Sequence, residues 1–127
     1  MKQVIRTEEA PAPFQGAPYN QAIVANGLVF VAGQLGLDPD TGEIVEGGIG
    51  PQTERVFANL QAILEAAGSS LDSVVKTTVF LTNLDDFAGM NEVYARSTGS
   101  TPPARSTIEI GRLPAGALVE IEAIALA

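Results

Sequence analysis

The chain has 127 residues, enough for a single domain (1–127) whose core folds without staples. It contains neither cysteine nor histidine, which excludes disulfides, thiol chemistry, Ser-His-Asp and Cys-His triads and the usual zinc ligand sets. Seven basic against 15 acidic residues give a net charge of −8, a poor match for nucleic acid, where Lys and Arg contacts to phosphate dominate affinity.

The start, MKQVIRTEEAPAPF, has no apolar h-region and does not read as a secretory signal. No uncharged apolar stretch approaches the roughly 20 residues that span a membrane, so the expectation is a soluble, cytoplasmic protein. A short strand is expected at Lys2–Ile5. The prolines of APAPFQGAPYN then exclude helix and central strand. Two apolar runs flank Asn26-Gly27, a two-residue hairpin signal, and predict strands at 20–25 and 28–33. LDPDTGEIVEGGIG reads as a long loop.

Gly50-Pro51 opens a helix, with Pro51 at its first position. Val56, Phe57, Leu60, Ile63, Leu64 and Ala67 share one face, and Gly68 stops it. SVVKTTVFL, 73–81, is rich in β-branched residues and reads as a strand. Asn83 caps the next helix, with Asp85 and Asp86 in its first turn and Phe87, Met90, Val93 and Tyr94 on its apolar face. Two strands follow, near 104–110 and 117–126, and read locally as a hairpin.

The order is ββαβαββ with an extra strand at the start. Two helices cover only one face of a sheet. The other face is not polar: LVFVAG is apolar on both sides, and in VVKTTVF alternation puts Val75 and Val79 on one face, Val74 and Phe80 on the other. An uncovered apolar face marks an interface, which predicts a homo-oligomer packed through the sheet.

DPDTG at 38–42 begins like a calcium loop, but position twelve, which needs Glu, is Ile49, so a plain turn is the better reading. GGIGP at 47–51 lacks the Gly-Lys-Ser/Thr ending of a phosphate loop and reads as a helix cap. The last two strands carry charges that apolar strands normally lack. Alternation puts Arg105, Thr107 and Glu109 on one face of the first, and Glu120 and Glu122 on one face of the second. Two readings stand. One is a cross-strand ion pair on a wet face. The other is an Arg105 fork for a substrate carboxylate, with a Glu acting as base on water.

PPARSTIEIGRLP followed by VEIEAIA resembles the RidA/YjgF family, formerly the endoribonuclease L-PSP or translation-inhibitor family. PYNQA, VFVAGQLGLDPDTGEIV and the stretch from QTERVFANL to NEVYA extend the likeness over nearly the whole chain. The resemblance implies a chorismate-mutase-like α+β fold: a mixed sheet with two helices on one face, a strand separating the last two, and a homotrimer with sites in clefts between subunits. It implies hydrolysis of reactive 2-imino or enamine acids, such as 2-iminobutanoate and 2-iminopropanoate from pyridoxal-phosphate enzymes, to 2-keto acids and ammonia, with no metal or organic cofactor. Arg105 matches the family arginine for the substrate carboxylate, and Glu120 the glutamate that orients or activates water. Tyr19, Gly33, Asn91 and Thr107 match site-lining positions. Departures are Ala32, where serine is frequent, and Ser97-Thr98, where many relatives carry an aromatic pair. Other classes are a non-catalytic 2-keto acid sensor using the same Arg105 pocket, a ribonuclease or translation inhibitor, which the net charge opposes, and a holdase working through the apolar face.

Overall fold

Asn26 and Gly27 both take positive φ, 52° and 76°, the left-handed pair that a two-residue hairpin between twisted strands requires. They join β2 (Ala22–Ala25) to β3 (Leu28–Leu35) as expected, with β3 running two residues further than its apolar run suggested. The computed structural model describes residues 1–127. The remaining elements are β1 (Gln3–Ile5), α1 (Ile49–Ala66), β4 (Val74–Leu81), α2 (Phe87–Thr98), β5 (Ala104–Glu109) and β6 (Val119–Leu126).

Helix α1 begins earlier than predicted, at Ile49, after Gly48 at φ 85°. Pro51 therefore lies third in the helix, still inside the first turn, where a missing N–H breaks no helical bond. At the other end Gly68 (φ 78°) turns the chain, and the Ser69 amide donates to the Leu64 carbonyl, closing the helix as the sequence indicated. Asn83 accepts from the Asp85 amide and caps a short turn, Leu84–Asp86, that leads into α2.

All six strands form one sheet in the order β1-β2-β3-β6-β4-β5. Pairing is antiparallel except for β4 with β5, which are parallel and joined through α2. The sheet is mixed, with both helices on one face, as the resemblance implied. β6 lies between β3 and β4, and β4 separates β5 from β6. The local hairpin reading of the last two strands is thereby corrected: β6 is paired along both edges, by β3 and β4, where beside β5 it would have formed the edge of the sheet.

The covered face is apolar. Val29, Val31, Val79, Leu81, Val119, Ile121, Ala123 and Ala125 pack against Val56, Leu60, Ile63 and Leu64 of α1 and Met90 and Val93 of α2. The other face is uncovered and carries exposed apolar side chains among its polar ones: Phe30 is 42% exposed, Ile108 on the edge strand 46% and Leu126 at the end of β6 53%. Alternation misplaced one pair. A register shift between Val74 and Lys76 makes Val75 an extra residue in β4. Val74 consequently packs on the core beside Val79's face, and Val75 points away from it. No helix is long and apolar enough to cross a membrane.

DPDTG is a turn. The Asp38 carboxylate accepts from the Asp40 amide, and the Gly42 amide donates to the Asp38 carbonyl. No group of three or more acidic side chains is gathered where a metal ion would sit.

Candidate functional site

Strand register assigns each charged side chain to a face. Glu120 pairs with Phe80 of β4, Glu122 with Thr78, and Ile124 with Lys76, so these side chains share the uncovered face. Arg105, Thr107 and Glu109 pair with Thr77, Val79 and Leu81, three buried residues of the helix-covered face. Arg105 and Glu120 thus lie on opposite faces of the sheet with β4 between them. The cross-strand ion pair is ruled out within one chain. The only ion pairs are those of Arg96 with Glu54 and Glu92 on the surface.

The six sequence-predicted site residues fall into two groups. Tyr19, Gly33 and Glu120 line one cleft of about 380 Å³ at an end of the uncovered face. Pro11, Ala12, Phe14 and Pro114 form its walls. Arg105, Asn91 and Thr107 gather on the other face, where the edge strand β5 meets α2.

In the cleft, Glu120 lies directly over Gly33. A Cβ at position 33 would stand 2.7 Å from the Glu120 Cδ and 3.0 Å from one carboxylate oxygen. The β3–β6 register shifts between Val31 and Gln34, which spreads the strands around Ala32-Gly33. Half-buried among these groups, Glu120 has its carboxyl held above the usual carboxylate range, first by burial and then by the Glu122 charge. A raised carboxyl is a stronger base once ionised. The Tyr19 hydroxyl accepts from the Phe14 amide at 2.6 Å, which fixes the ring against the proline-rich segment.

On the opposite face, Arg105 rests on aromatic rings. Its Cζ lies 4.6 Å from the Tyr94 centroid and 5.5 Å from that of Phe87. One Nη1 donates to the Asn91 Oδ1 at 2.7 Å, and no carboxylate of the chain takes the remaining N–H groups of the fork. Tyr94 is itself anchored by its hydroxyl to Thr77 Oγ1 at 2.6 Å and by an edge contact with Phe57. Thr107 Oγ1 is buried with no hydrogen-bond partner.

Sequence reasoning missed the residues that hold these parts in place. Gln21 is buried; its amide donates to the carbonyls of Thr7, Ala10 and Pro11, and its Oε1 accepts from the Thr7 amide, fastening the cleft wall. Asn59 Nδ2 donates to the carbonyls of Leu35 and Leu37, and Gln52 Oε1 accepts from the Leu118 amide just before Glu120. Gln52 and Asn59 occupy the same helical stripe as Val56 and Ile63. Amides at core positions were the available signal, since a buried polar group requires partners. Tyr94 was read as core; its second role, as the shelf under Arg105, carries no sequence mark.

A family model described as Endoribonuclease L-PSP matches residues 7–127. A RutC family protein of Pyrococcus horikoshii is 56% identical over 125 residues, covering 98% of each chain. A mouse protein named 2-iminobutanoate/2-iminopropanoate deaminase is 41% identical, covering 99% of this chain and 92% of its own. The crystal structure of RidA from the Antarctic bacterium Psychrobacter superposes with a TM-score of 0.93 at 46% identity, covering 98% of this chain and 99% of that one.

Proposed function

Because the chain belongs to the RidA/YjgF family, we propose that it hydrolyses short 2-imino acids, among them 2-iminobutanoate and 2-iminopropanoate, to 2-keto acids and ammonia. The observation that carries this reading is the Arg105 fork, oriented by Asn91 and two aromatic rings and left without a carboxylate of its own. Such a guanidinium suits a small planar carboxylate.

The chemistry requires little more. An iminium carbon is already electrophilic. Water adds to C2 while the Glu120 carboxylate takes its proton. The carbinolamine nitrogen then receives that proton, the C–N bond breaks, and as the C2 hydroxyl becomes the keto group its proton passes through Glu120 to the departing ammonia, which leaves as ammonium. Glu120 ends the cycle ionised, and no electrons are exchanged with any other species. Holding the substrate by its carboxylate supplies the orientation.

Arg105 and Glu120 cannot meet within one chain, so the reading includes self-association as a homotrimer, with each site built from Arg105, Asn91 and Thr107 of one copy and Tyr19, Gly33 and Glu120 of the next. The uncovered apolar face around Phe30, Ile108 and Ile124 supports such packing.

The test is accelerated loss of 2-iminobutanoate generated in situ by an amino-acid oxidase, with semicarbazide trapping the remainder. Wild type and Arg105→Ala are compared at equal concentration. Acceleration by wild type alone is the expected result. No acceleration by a correctly assembled wild type would sink the proposal.

A further inference from the structure

Strand β5 is an edge of the sheet and contributes no residue to the buried core. Helix α2, by contrast, is seated by Met90, Val93 and Tyr94, which pack with α1 and the covered face. Parallel pairing fixes the β5 backbone to β4, but its side chains need a separate reference to α2. Two hydrogen bonds supply it. Arg105 donates to Asn91 Oδ1 at 2.7 Å, and the Glu109 carboxylate accepts from the Leu84 amide at 2.8 Å. The first is made by the guanidinium assigned to the substrate, so it cannot also be that guanidinium's fixed reference. The second is independent of it.

Leu84 opens the short turn Leu84–Asp86 that runs directly into α2. Phe87, Asn91 and Tyr94 follow at helical spacing on one stripe, and all three touch Arg105. Because β4 and β5 are parallel, α2 runs back alongside β5, tied to it at the entering end by Glu109 and further along at Arg105. Asp86, the residue before α2, makes no side-chain cap. Two side-chain acceptors serve the amides of the turn: Asn83 Oδ1 at Asp85 and Glu109 at Leu84. Asn83 is local to the turn. Glu109 reaches it from the strand that carries Arg105.

We propose that Glu109 is a positioning residue for the substrate-binding half-site: its carboxylate ties the end of β5 to the start of α2 and so sets Arg105 against the stripe of Phe87, Asn91 and Tyr94. The proposal rests on the deaminase reading. The tie lies within one copy, so it holds whichever neighbour supplies Glu120. A carboxylate at a helix start also favours the helix dipole, which is a plain capping role, and the Asn83 cap on the same turn separates the two.

The experiment measures kcat and KM for 2-iminobutanoate in wild type, Glu109→Ala, Glu109→Gln, Leu84→Pro and Asn83→Ala, each checked for wild-type assembly. Glu109→Ala is expected to raise KM about fivefold to tenfold with kcat within about twofold, because the carboxylate hold is disturbed and proton transfer is not. Leu84→Pro removes the donor and leaves Glu109 in place. Leu84 is 47% exposed, and Asn83 before it is extended at φ −152° and ψ 120°, a conformation suited to the residue before a proline. The same rise in KM is expected there, and the double variant should be no worse than either single one. Glu109→Gln, whose amide oxygen still accepts, keeps KM within about twofold of wild type. Asn83→Ala lowers thermal stability through the lost cap but leaves KM unmoved. The Arg105 Nε–Hε resonance, identified by its absence in Arg105→Ala and sensitive to the two rings beneath it, is followed by 15N NMR. It moves in Glu109→Ala and Leu84→Pro and stays in Asn83→Ala. A wild-type KM and an unmoved Arg105 resonance in Glu109→Ala would overturn the proposal, and so would an equal rise in KM in Asn83→Ala. If wild type hydrolyses no imine, the deaminase reading fails, and the Arg105 resonance still decides whether Glu109 positions it.

Discussion

Gly33 and Glu120 fill each other's space: the hydrogen at Gly33 Cα is all that fits beneath the Glu120 carboxyl, since a Cβ would come within 2.7 Å of its Cδ. The glycine is needed here for clearance and not for backbone freedom, because its φ is not positive. It fixes the depth at which the carboxyl sits in its cleft.

Gly33→Ala separates position from folding. The atoms a methyl group would strike belong to a flexible side chain, so Glu120 swings aside and the sheet is preserved. Thermal stability is expected to stay within about 1 kcal/mol of wild type, while kcat/KM for 2-iminobutanoate falls by about 10–100-fold, as misplacement of a reacting group by about 1 Å does. Calorimetry and the imine-loss assay on one preparation check both halves. Full activity would mean that Glu120 is not required at its present depth.

Arg105 tests the other half-site. Arg105→Lys keeps the charge but loses the planar fork and the stacking on Tyr94 and Phe87. It is expected to lower kcat/KM by about two orders of magnitude, an effect on carboxylate orientation as well as on charge. Asn91→Ala frees the guanidinium without removing it and should raise KM several-fold with a smaller change in kcat. Steady-state kinetics on 2-iminobutanoate would show the gradation; equal losses in both variants would point to collapse of the edge and not to substrate contact.

Tyr94→Phe examines the shelf beneath that arginine. The variant keeps the ring but leaves the buried Thr77 hydroxyl without its 2.6 Å partner. An unpaired buried hydroxyl costs about 1–3 kcal/mol, so denaturant unfolding should show a loss of that size while the Arg105 platform survives. Unchanged stability would mean that Thr77 finds another hydrogen-bond partner.

Much of the fold was legible because it is written locally. Asn26-Gly27, Gly68 and Asn83 each mark a turn or an end whose chemistry allows few alternatives, and the elements between them fall within a few residues of expectation. The arrangement of strands was not legible in this way. Alternation assigns Arg105 and Glu120 to a face of their own strand, but only the insertion of β6 between β3 and β4 relates one strand's faces to the other's. The resemblance, and not periodicity, indicated a separating strand. Val75 defeated alternation because a bulge adds one residue without a local signature. The cleft walls escaped because Gln21, Gln52 and Asn59 reach carbonyls and amides far along the chain, a partnership that sequence spacing cannot announce.

The raised carboxyl of Glu120 makes a prediction about stability as well as rate. Its proton affinity in the folded state exceeds that of an unfolded glutamate, first through burial and then through Glu122. The folded state therefore binds more protons in the window between the two pKa values, and stability falls as pH rises through it. The contribution is fully present below the ordinary glutamate value and lost above the raised one. Glu120→Gln removes the titration. At neutral pH the variant is expected to melt higher than wild type while losing most of its imine hydrolysis, and the gap should close as the pH is lowered below the ordinary glutamate range. A variant less stable than wild type at pH 7 would mean that the ionised carboxylate is compensated by a group from another copy.

Opposite faces also predict complementation. If each site takes Arg105 from one copy and Glu120 from the next, then Arg105→Ala and Glu120→Gln chains are each inactive alone but defective in different halves. Dissociating and reassembling them as an equal mixture distributes the chains at random. A site is intact when a Glu120→Gln chain supplies the arginine and an Arg105→Ala chain supplies the glutamate, which occurs at about one quarter of sites in a closed ring. Recovery of about one quarter of the wild-type rate is expected on that basis. Neither parent alone should exceed the background. No recovery from a mixture proven to exchange chains would place the whole site within one copy, which the sheet could accommodate only by abandoning Arg105 or Glu120 as a participant.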